Sequence, residues 1–255
     1  MSALLLQEMK WPEVKDYLAK DDRVIIPVGS TEQHGCWLPM GTDTFTAISL
    51  AEDASEKTGV MITPPNWFGW SPHHMALPGT ISIRPEVLIE LLYDEIESLA
   101  KHGFKNFITI NGHRIVNLIW MQIAAERAQR KLGVKVVIFD PAYMQKEIAD
   151  KLGFGAIGHA EESEGSEMMY KYSDLVDIGK ARDYVLGETK LYHIDPRDRR
   201  DTLCYVPSTE EATRKIAEIS GGPIGRPLQA SAEKGKKLHE HLVSRLVEVI
   251  EQLKK

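Results

Sequence analysis

The sequence has only two cysteines, Cys36 and Cys204, separated by most of the chain. That scarcity leaves no basis for a disulfide framework and fits a reducing cytoplasm, with free thiols expected at both positions. No run of about 18 apolar residues occurs, so no membrane-spanning helix is expected. Positive charge is in deficit: 31 Lys and Arg against 37 Asp and Glu give a formal net charge of −6. This argues against a nucleic acid or an anionic membrane surface as partner, because either calls for a basic face. The N-terminus lacks the basic start and long apolar stretch of a secretion signal, since Leu4 to Leu6 pass directly into Gln7, Glu8 and Lys10. Internal repeats and low-complexity linkers are also missing, so one domain over residues 1–255 is the simplest organisation.

What is present is enough apolar material, 43% of 255 residues, for a substantial core. Trp11, Val14 and Leu18 share one side of a short amphipathic opening. Residues 23–28 then read as a continuous apolar strand, Arg-Val-Ile-Ile-Pro-Val, of the kind buried in a parallel sheet. Further strands are expected over 60–63, 107–110 and 134–139. Helical spacing lies between them: over 43–58 with Phe45, Ile48, Ala51 and Ala54 as a stripe, over 82–102, and over about 115–132. Strand and helix alternating in this way predict right-handed crossovers and an α/β fold, a parallel sheet with helices on both faces. More helix is expected from Pro141 to Leu152, through Glu161 to Tyr172, and from about Ala232 to Leu253. Residues 187–207, with the charged run Asp195-Pro196-Arg197-Asp198-Arg199-Arg200, read as an excursion with a solvated face.

In such sheets ligands gather at the carboxyl ends of the strands. Glu32 and His34 follow the first strand, His113 follows the third, and Asp43 opens the next helix, where a carboxylate is favoured. Alternation along an extended segment points Glu32 and His34 to the same side. A mixed carboxylate and imidazole set of this kind suits Zn, Mn or Fe and is too rich in nitrogen for Ca or Mg. Each residue alone has a plain explanation, Asp43 as a helix cap and His113 as a turn residue; their convergence on one sheet edge favours a metal site. Cys36 lies in the same segment, but neither a second nearby cysteine nor a helix start activates it. The loop 66–82 brings Trp67, Trp70, His73 and His74 among prolines and glycine, as a pocket wall or a packed surface loop. Trp120, on a helix, is expected in the core.

Taken together, these blocks resemble the creatininase (creatinine amidohydrolase) family. The matching residues are Gly29-Ser-Thr-Glu-Gln-His-Gly35 with Leu38-Pro39 and Asp43, Gly69-x-Ser71 with His74 and Pro78-Gly79-Thr80, and Asn111-Gly112-His113. They continue with His159-Ala160 followed by Glu164 and Ser166, and with Gly225-x-Pro227 before Ala230-Ser-Ala-Glu-Lys-Gly235. The resemblance covers roughly Val24 to Leu238 and implies a three-layer α/β/α fold, two divalent metal ions, Zn or Mn (or Fe), and a homohexamer acting on a small molecule. It makes Glu32 and His113 ligands of one ion and His34 a ligand of the other, with Asp43 shared. Creatininase has a Glu two residues after the His of the Asn-Gly-His block, and here that position is Ile115; the remaining carboxylate then falls to Glu164, as ligand or base. His159 would stand beside the metals as a proton donor.

The implied activity is hydrolysis of a C–N bond in a small cyclic amide, by water acidified between the two ions. Family relatives also include a hydrolase that cleaves C–C between carbonyls in a dehydrogenated inosose. Arg114 and His73, in the pocket with His74, Trp67 and Trp70, would suit such an oxygenated ring. Arg114-Ile115-Val116-Asn117 in place of the family's Gly-Gly-Asn, His73 in place of an acidic residue, and Glu161 in place of Gly all bear on the substrate. A non-catalytic metal-binding homologue is the alternative of another class, and the intact Glu32, His34, Asp43 and His113 speak against it.

Overall fold

The computed structural model describes residues 2–186 and 208–254, so the charged run 195–200 and Cys204 lie outside the described residues. In chain order the elements are α1 (Trp11–Leu18), β1 (Arg23–Val28), α2 (Thr42–Thr58), β2 (Met61–Ile62), α3 (Pro85–His102), β3 (Asn106–Asn111), α4 (Val116–Leu132) and β4 (Lys135–Phe139). The short α5 (Pro141–Met144) and α6 (Ala149–Leu152) follow, then α7 (Glu162–Lys171), α8 (Glu210–Ser220) and α9 (Ala232–Gln252). The four strands form one sheet in the order β2-β1-β3-β4, and every pairing is parallel.

All six residues of β1 are buried, as expected for a strand covered on both faces. Its side chains alternate between two cores. Ile25, with Ile108 and Ile110 of β3, meets Ala47, Leu50, Ala51 and Ala54 of α2 and Leu238, Leu242, Leu246 and Ile250 of α9. Val24, Ile26 and Val28, with Phe107, meet Leu88, Leu92 and Ile96 of α3 and Trp120, Met121 and Ala124 of α4. The period of two thus builds a three-layer α/β/α arrangement from one strand. Pro27 is tolerated inside this sheet because its carbonyl, and so its missing N–H, faces the β2 side, where Asn66 N reaches its oxygen at 2.9 Å after β2 has ended.

The structure departs from the sequence expectation in several places. The buried stripe of α2 is Ala47, Leu50, Ala51 and Ala54, while Phe45 and Ile48 are only half-buried, because Phe45 turns to Trp67 and Tyr172 instead. Trp11 is 77% exposed rather than packed. The third helix starts at Pro85, not at Ser82, with Arg84 held extended before it, as the residue preceding a proline avoids the helical region. The single helix expected from Pro141 to Leu152 is broken by one 3-10 turn, with Ile148 at φ −126° between the pieces. Helix α8 was missed altogether, although Thr209 accepts a capping bond from Ala212 N and Gly221 closes it in the left-handed region.

Candidate metal centre

The carboxyl ends of β1 and β3 lie side by side, with Val28 paired to Asn111. Beyond them the chain must leave the sheet, and the exits carry the polar residues. Gly112 sits so close to the start of α2 that a Cβ there would collide with the Asp43 carbonyl oxygen. That approach requires glycine, and it sets His113 beside the Asp43 side chain. Asp43 occupies the first turn of α2, after the N-cap Gly41. Its carboxylate makes no cap bond but points at two imidazoles, so the plain capping role is not the one it takes.

Distances define the cluster. Asp43 Oδ1 lies 3.1 Å from His34 Nε2, and Asp43 Oδ2 lies 3.1 Å from His113 Nδ1. Glu32 Oε2 is 3.3 Å from His113 Nε2, and Glu164 Oε2 is 3.9 Å from His34 Nε2. Glu32 Oε1 stands 3.4 Å from His74 Nε2 and 3.7 Å from His159 Nδ1. Among the described residues, three sets of side chains bring ligand atoms within 4.8 Å of one another: Glu32, Asp43 and His113; His34, Asp43 and Glu164; and Glu32, His34 and His159. Asp43 belongs to the first two sets, and Glu32, His34 and Asp43 are all buried.

Hydrogen bonds show what those atoms lack. His34 Nδ1 is 3.2 Å from the carbonyl oxygen of Glu32, which only accepts, so the ring proton sits on Nδ1. Nε2 then faces the oxygens of Asp43 and Glu164, offering a lone pair to a metal ion or, without one, carrying a second proton. Neither His34 Nε2 nor Asp43 Oδ2 has a hydrogen-bond partner among the described residues. Buried lone pairs facing one another repel unless a cation stands between them, a proton or a metal ion. The donor set fits a divalent transition metal.

Electrostatics point the same way. Burial disfavours the His34 imidazolium, yet the Asp43 carboxylate, with Glu164 and Glu32, raises its pKa to about 10. Burial likewise opposes charge on His113, and Glu32 and Asp43 overcome it to give about 9. Burial drives Glu32 up to about 7, and it raises Glu164 above the usual carboxylate range. Asp43 is held well below that range by His34 and His113, although burial works against it. Burial, aided by the His34 charge, keeps His159 neutral far below its ordinary pKa.

The remaining sequence candidates divide. His74 is buried against the cluster, with its ring centroid 4.2 Å from that of His159, and His73 packs on His74 at 4.0 Å. Trp67 meets Phe45 edge-on at 5.4 Å near the start of α2. Trp70 is half-buried and packs against the core of α3 and α4 that contains the buried Trp120. Arg114 lies over the Tyr143 ring, 5.4 Å from its centre, and its charge lowers the pKa of Asp140, which burial raises. Cys36 is an exposed free thiol 3.6 Å from the Gly221 carbonyl, outside the three sets. Glu161 caps α7 by accepting from Ser163 N, and burial with the nearby Glu164 and Glu162 pushes it up to about 8.

Sequence reasoning overlooked the groups that hold the ligands. Ser30 joins Ser71 at 2.8 Å and approaches Glu32 at 3.4 Å, while Ser71 Oγ reaches His113 Nε2 at 3.4 Å. Asn117 donates to the Gly29 carbonyl at 2.9 Å and accepts from Trp70 N and Trp120 Nε1, tying the end of β1 to α4. No periodicity marks such residues; Ser30 and Ser71 stand within the matching blocks and Asn117 just after one, but nothing in the sequence assigns them a role.

The creatininase (creatinine amidohydrolase) family model matches residues 7–250. The chain belongs to the creatininase family. Among curated members, 3-dehydro-scyllo-inosose hydrolase of Thermotoga maritima is 28% identical over 99% of this chain and 84% of its own length. Creatinine amidohydrolase of Pseudomonas putida is 27% identical over 85% of this chain and 91% of its own. A solved creatininase superposes with a TM-score of 0.82 at 25% identity, covering 99% of this chain and 98% of that one. Within this creatininase-family fold the block after His113 is strained. Ile115 adopts φ 68°, ψ −69°, and Val116 N bonds the Arg114 carbonyl at 2.9 Å, a γ-turn rare for a β-branched residue.

Proposed function

We propose that this protein is a metal-dependent hydrolase with two divalent ions, Zn or Mn, which opens a small cyclic amide at its C–N bond. The observation that carries the reading is the position of Asp43 between two ligand sets, Glu32 with His113 and His34 with Glu164. Similar solved structures include a manganese creatininase and a mutant creatininase of Zn–Zn type. When bound, the ions supply Lewis acidity and acidify water at neutral pH. Glu32, Asp43 and His113 would hold one ion, and His34, Asp43 and Glu164 the other.

The chain's own groups do the rest. His159 lies 3.7 Å from Glu32 and would pass a proton from the attacking water to the departing nitrogen, a transient charge that burial and His34 oppose and Asp43 favours. Glu164 is fixed by the Ala160 N–H at 2.6 Å, which leaves its carboxylate turned to His34. His73 packs on His74 beside His159, and its half-buried ring would meet an oxygenated substrate from that side. A second reading, C–C cleavage in a cyclic polyol diketone, is favoured by the nearly full-length similarity to the Thermotoga hydrolase.

Two measurements test these readings. Metal analysis of protein purified without chelator is expected to give about two transition ions per subunit; one or none would overturn the shared-Asp43 site. Turnover assays with creatinine, other cyclic amides and 3-dehydro-scyllo-inosose then separate the reactions. Amine release supports C–N hydrolysis, and an open-chain keto acid without amine supports the second reading.

Self-association, as a hexamer in keeping with the resemblance, is supported by Val87 and Leu91 on α3 and by Ile119 and Ile123 on α4. All four are between 43% and 51% exposed on adjacent helices. Size-exclusion chromatography of Ile119→Lys should show a smaller particle, and an unchanged one would sink this assignment. The exposed thiol of Cys36 supports a cytoplasmic setting, and no helix among the described residues is long and apolar enough to cross a membrane. The two cores on one sheet support a single hydrolase domain.

A further inference from the structure

Gln33 stands between the ligands Glu32 and His34 in sequence, is 4% exposed, and takes no part in the three ligand sets. Its side chain is held at both ends. Gly35 N donates to Gln33 Oε1 at 3.0 Å, which identifies that atom as the oxygen and so orients the amide. The other end, Nε2, must then donate, and it lies 2.8 Å from His74 Nδ1. An amide N–H directed at a ring nitrogen requires a lone pair there. His74 therefore carries its proton on Nε2, the atom 3.4 Å from Glu32 Oε1.

The backbone of the same residue acts on a second ring. His159 Nε2 is 2.7 Å from the Gln33 carbonyl oxygen, an acceptor, and 2.9 Å from Gln33 Nε2, a donor. The carbonyl is nearer and has no hydrogen to give, so His159 keeps its proton on Nε2. Its Nδ1 is left bare on the side of Glu32, 3.7 Å away. One residue thus gives two stacked histidines opposite faces toward the cluster: His74 offers N–H, and His159 offers a lone pair.

We propose that Gln33 is a positioning residue that sets the ring tautomer of His74, so that His74 Nε2–H holds Glu32 Oε1 and leaves Glu32 Oε2 to the metal. The effect on metal binding rests on the dinuclear reading above, whereas the tautomer does not. Without the Gln33 amide, the His74 ring is free to move its proton to Nδ1. A bare Nε2 would then face the Glu32 carboxylate and push it from its place.

Neutron crystallography of the zinc-loaded protein, and of the metal-free protein, reads the ring deuterons directly. The expected density places a deuteron on His74 Nε2 and on His159 Nε2 and none on His74 Nδ1. A deuteron on His74 Nδ1 overturns the proposal whatever the metal content. The variant Gln33→Met keeps the side-chain length and removes the donor. Its zinc affinity, measured by chelator competition, is expected to fall about 10- to 100-fold, the range for groups that orient a ligand. A folded Gln33→Met protein with unchanged zinc affinity and an unchanged His74 tautomer would also overturn it. If the variant does not fold, the wild-type neutron density still decides. Failure of the wild type to bind zinc would count against the dinuclear reading while leaving the metal-free tautomer as its own test.

Discussion

Replacing His239 by alanine should cost this fold a large share of its stability, most of all at acidic and neutral pH. His239 on α9 is 1% exposed, with Nδ1 2.5 Å from Glu167 Oε1 and Nε2 2.7 Å from Asp53 Oδ2. Both ring nitrogens face carboxylates, so the ring is an imidazolium between α2, which carries Asp53, and α7, which carries Glu167. Lys171 joins the cluster by bonding Asp53 at 2.8 and 3.0 Å. These two helices also supply Asp43 and Glu164, so the cluster ties together the elements that present them. Removing one partner of a buried ion pair costs about 3–5 kcal/mol. Glu167 is 3% exposed and its Oε2 already has no hydrogen-bond partner among the described residues, which places His239→Ala toward the upper end. At about 2–4 °C per kcal/mol, the midpoint of thermal unfolding should drop by roughly 6–20 °C.

The pH dependence has a definite sign. Burial lowers the His239 pKa, but Glu167 and Asp53 more than reverse it and leave it raised. A raised histidine stabilises fully below its unfolded value of about 6.5 and loses that contribution as pH rises through the folded value. The gap between wild type and His239→Ala should therefore be widest near pH 6 and narrow at alkaline pH, as followed by urea unfolding across a pH series. A gap below about 1 kcal/mol at pH 6, or one that widens with pH, would refute the account of this cluster.

Two further outcomes follow from the metal centre. With His34 raised to about 10 and His113 to about 9, each is an imidazolium, protonated on both ring nitrogens, in metal-free protein at pH 7. Because ligands must be deprotonated, zinc binding should release at least one proton from each ring, and affinity should rise with pH up to that range. Calorimetry in buffers of different ionisation enthalpy measures this, and binding without proton release would contradict the charge state assigned to the two rings. Asp43→Asn should lower metal content to one ion per subunit or fewer and reduce turnover more than about 100-fold, beyond the usual effect of groups that merely orient ligands. A variant that retains two ions would remove Asp43 from its shared position.

Much of this protein is determined by the sequence itself. The apolar run 23–28, the alternation of strand and helix and the capping glycines lead to a parallel sheet with helices on both faces. They do so because periods of two and 3.6 are local consequences of which side of each element is buried. The same reading puts Glu32, His34 and His113 at strand ends, where the chain leaves the sheet. Their roles stayed open because three side chains in separate loops carry no distance information. Only tertiary structure brought Asp43 to 3.1 Å from both His34 and His113, through the close approach of Gly112 to α2. It also packed Trp70 against the core and set Arg114 against Tyr143, and it revealed Gln33, Ser71 and His239 as the groups that orient or brace the rest. Hydrogen-bond partners of this kind are separated by 41 to 186 residues. Non-local packing alone decides which of them meet.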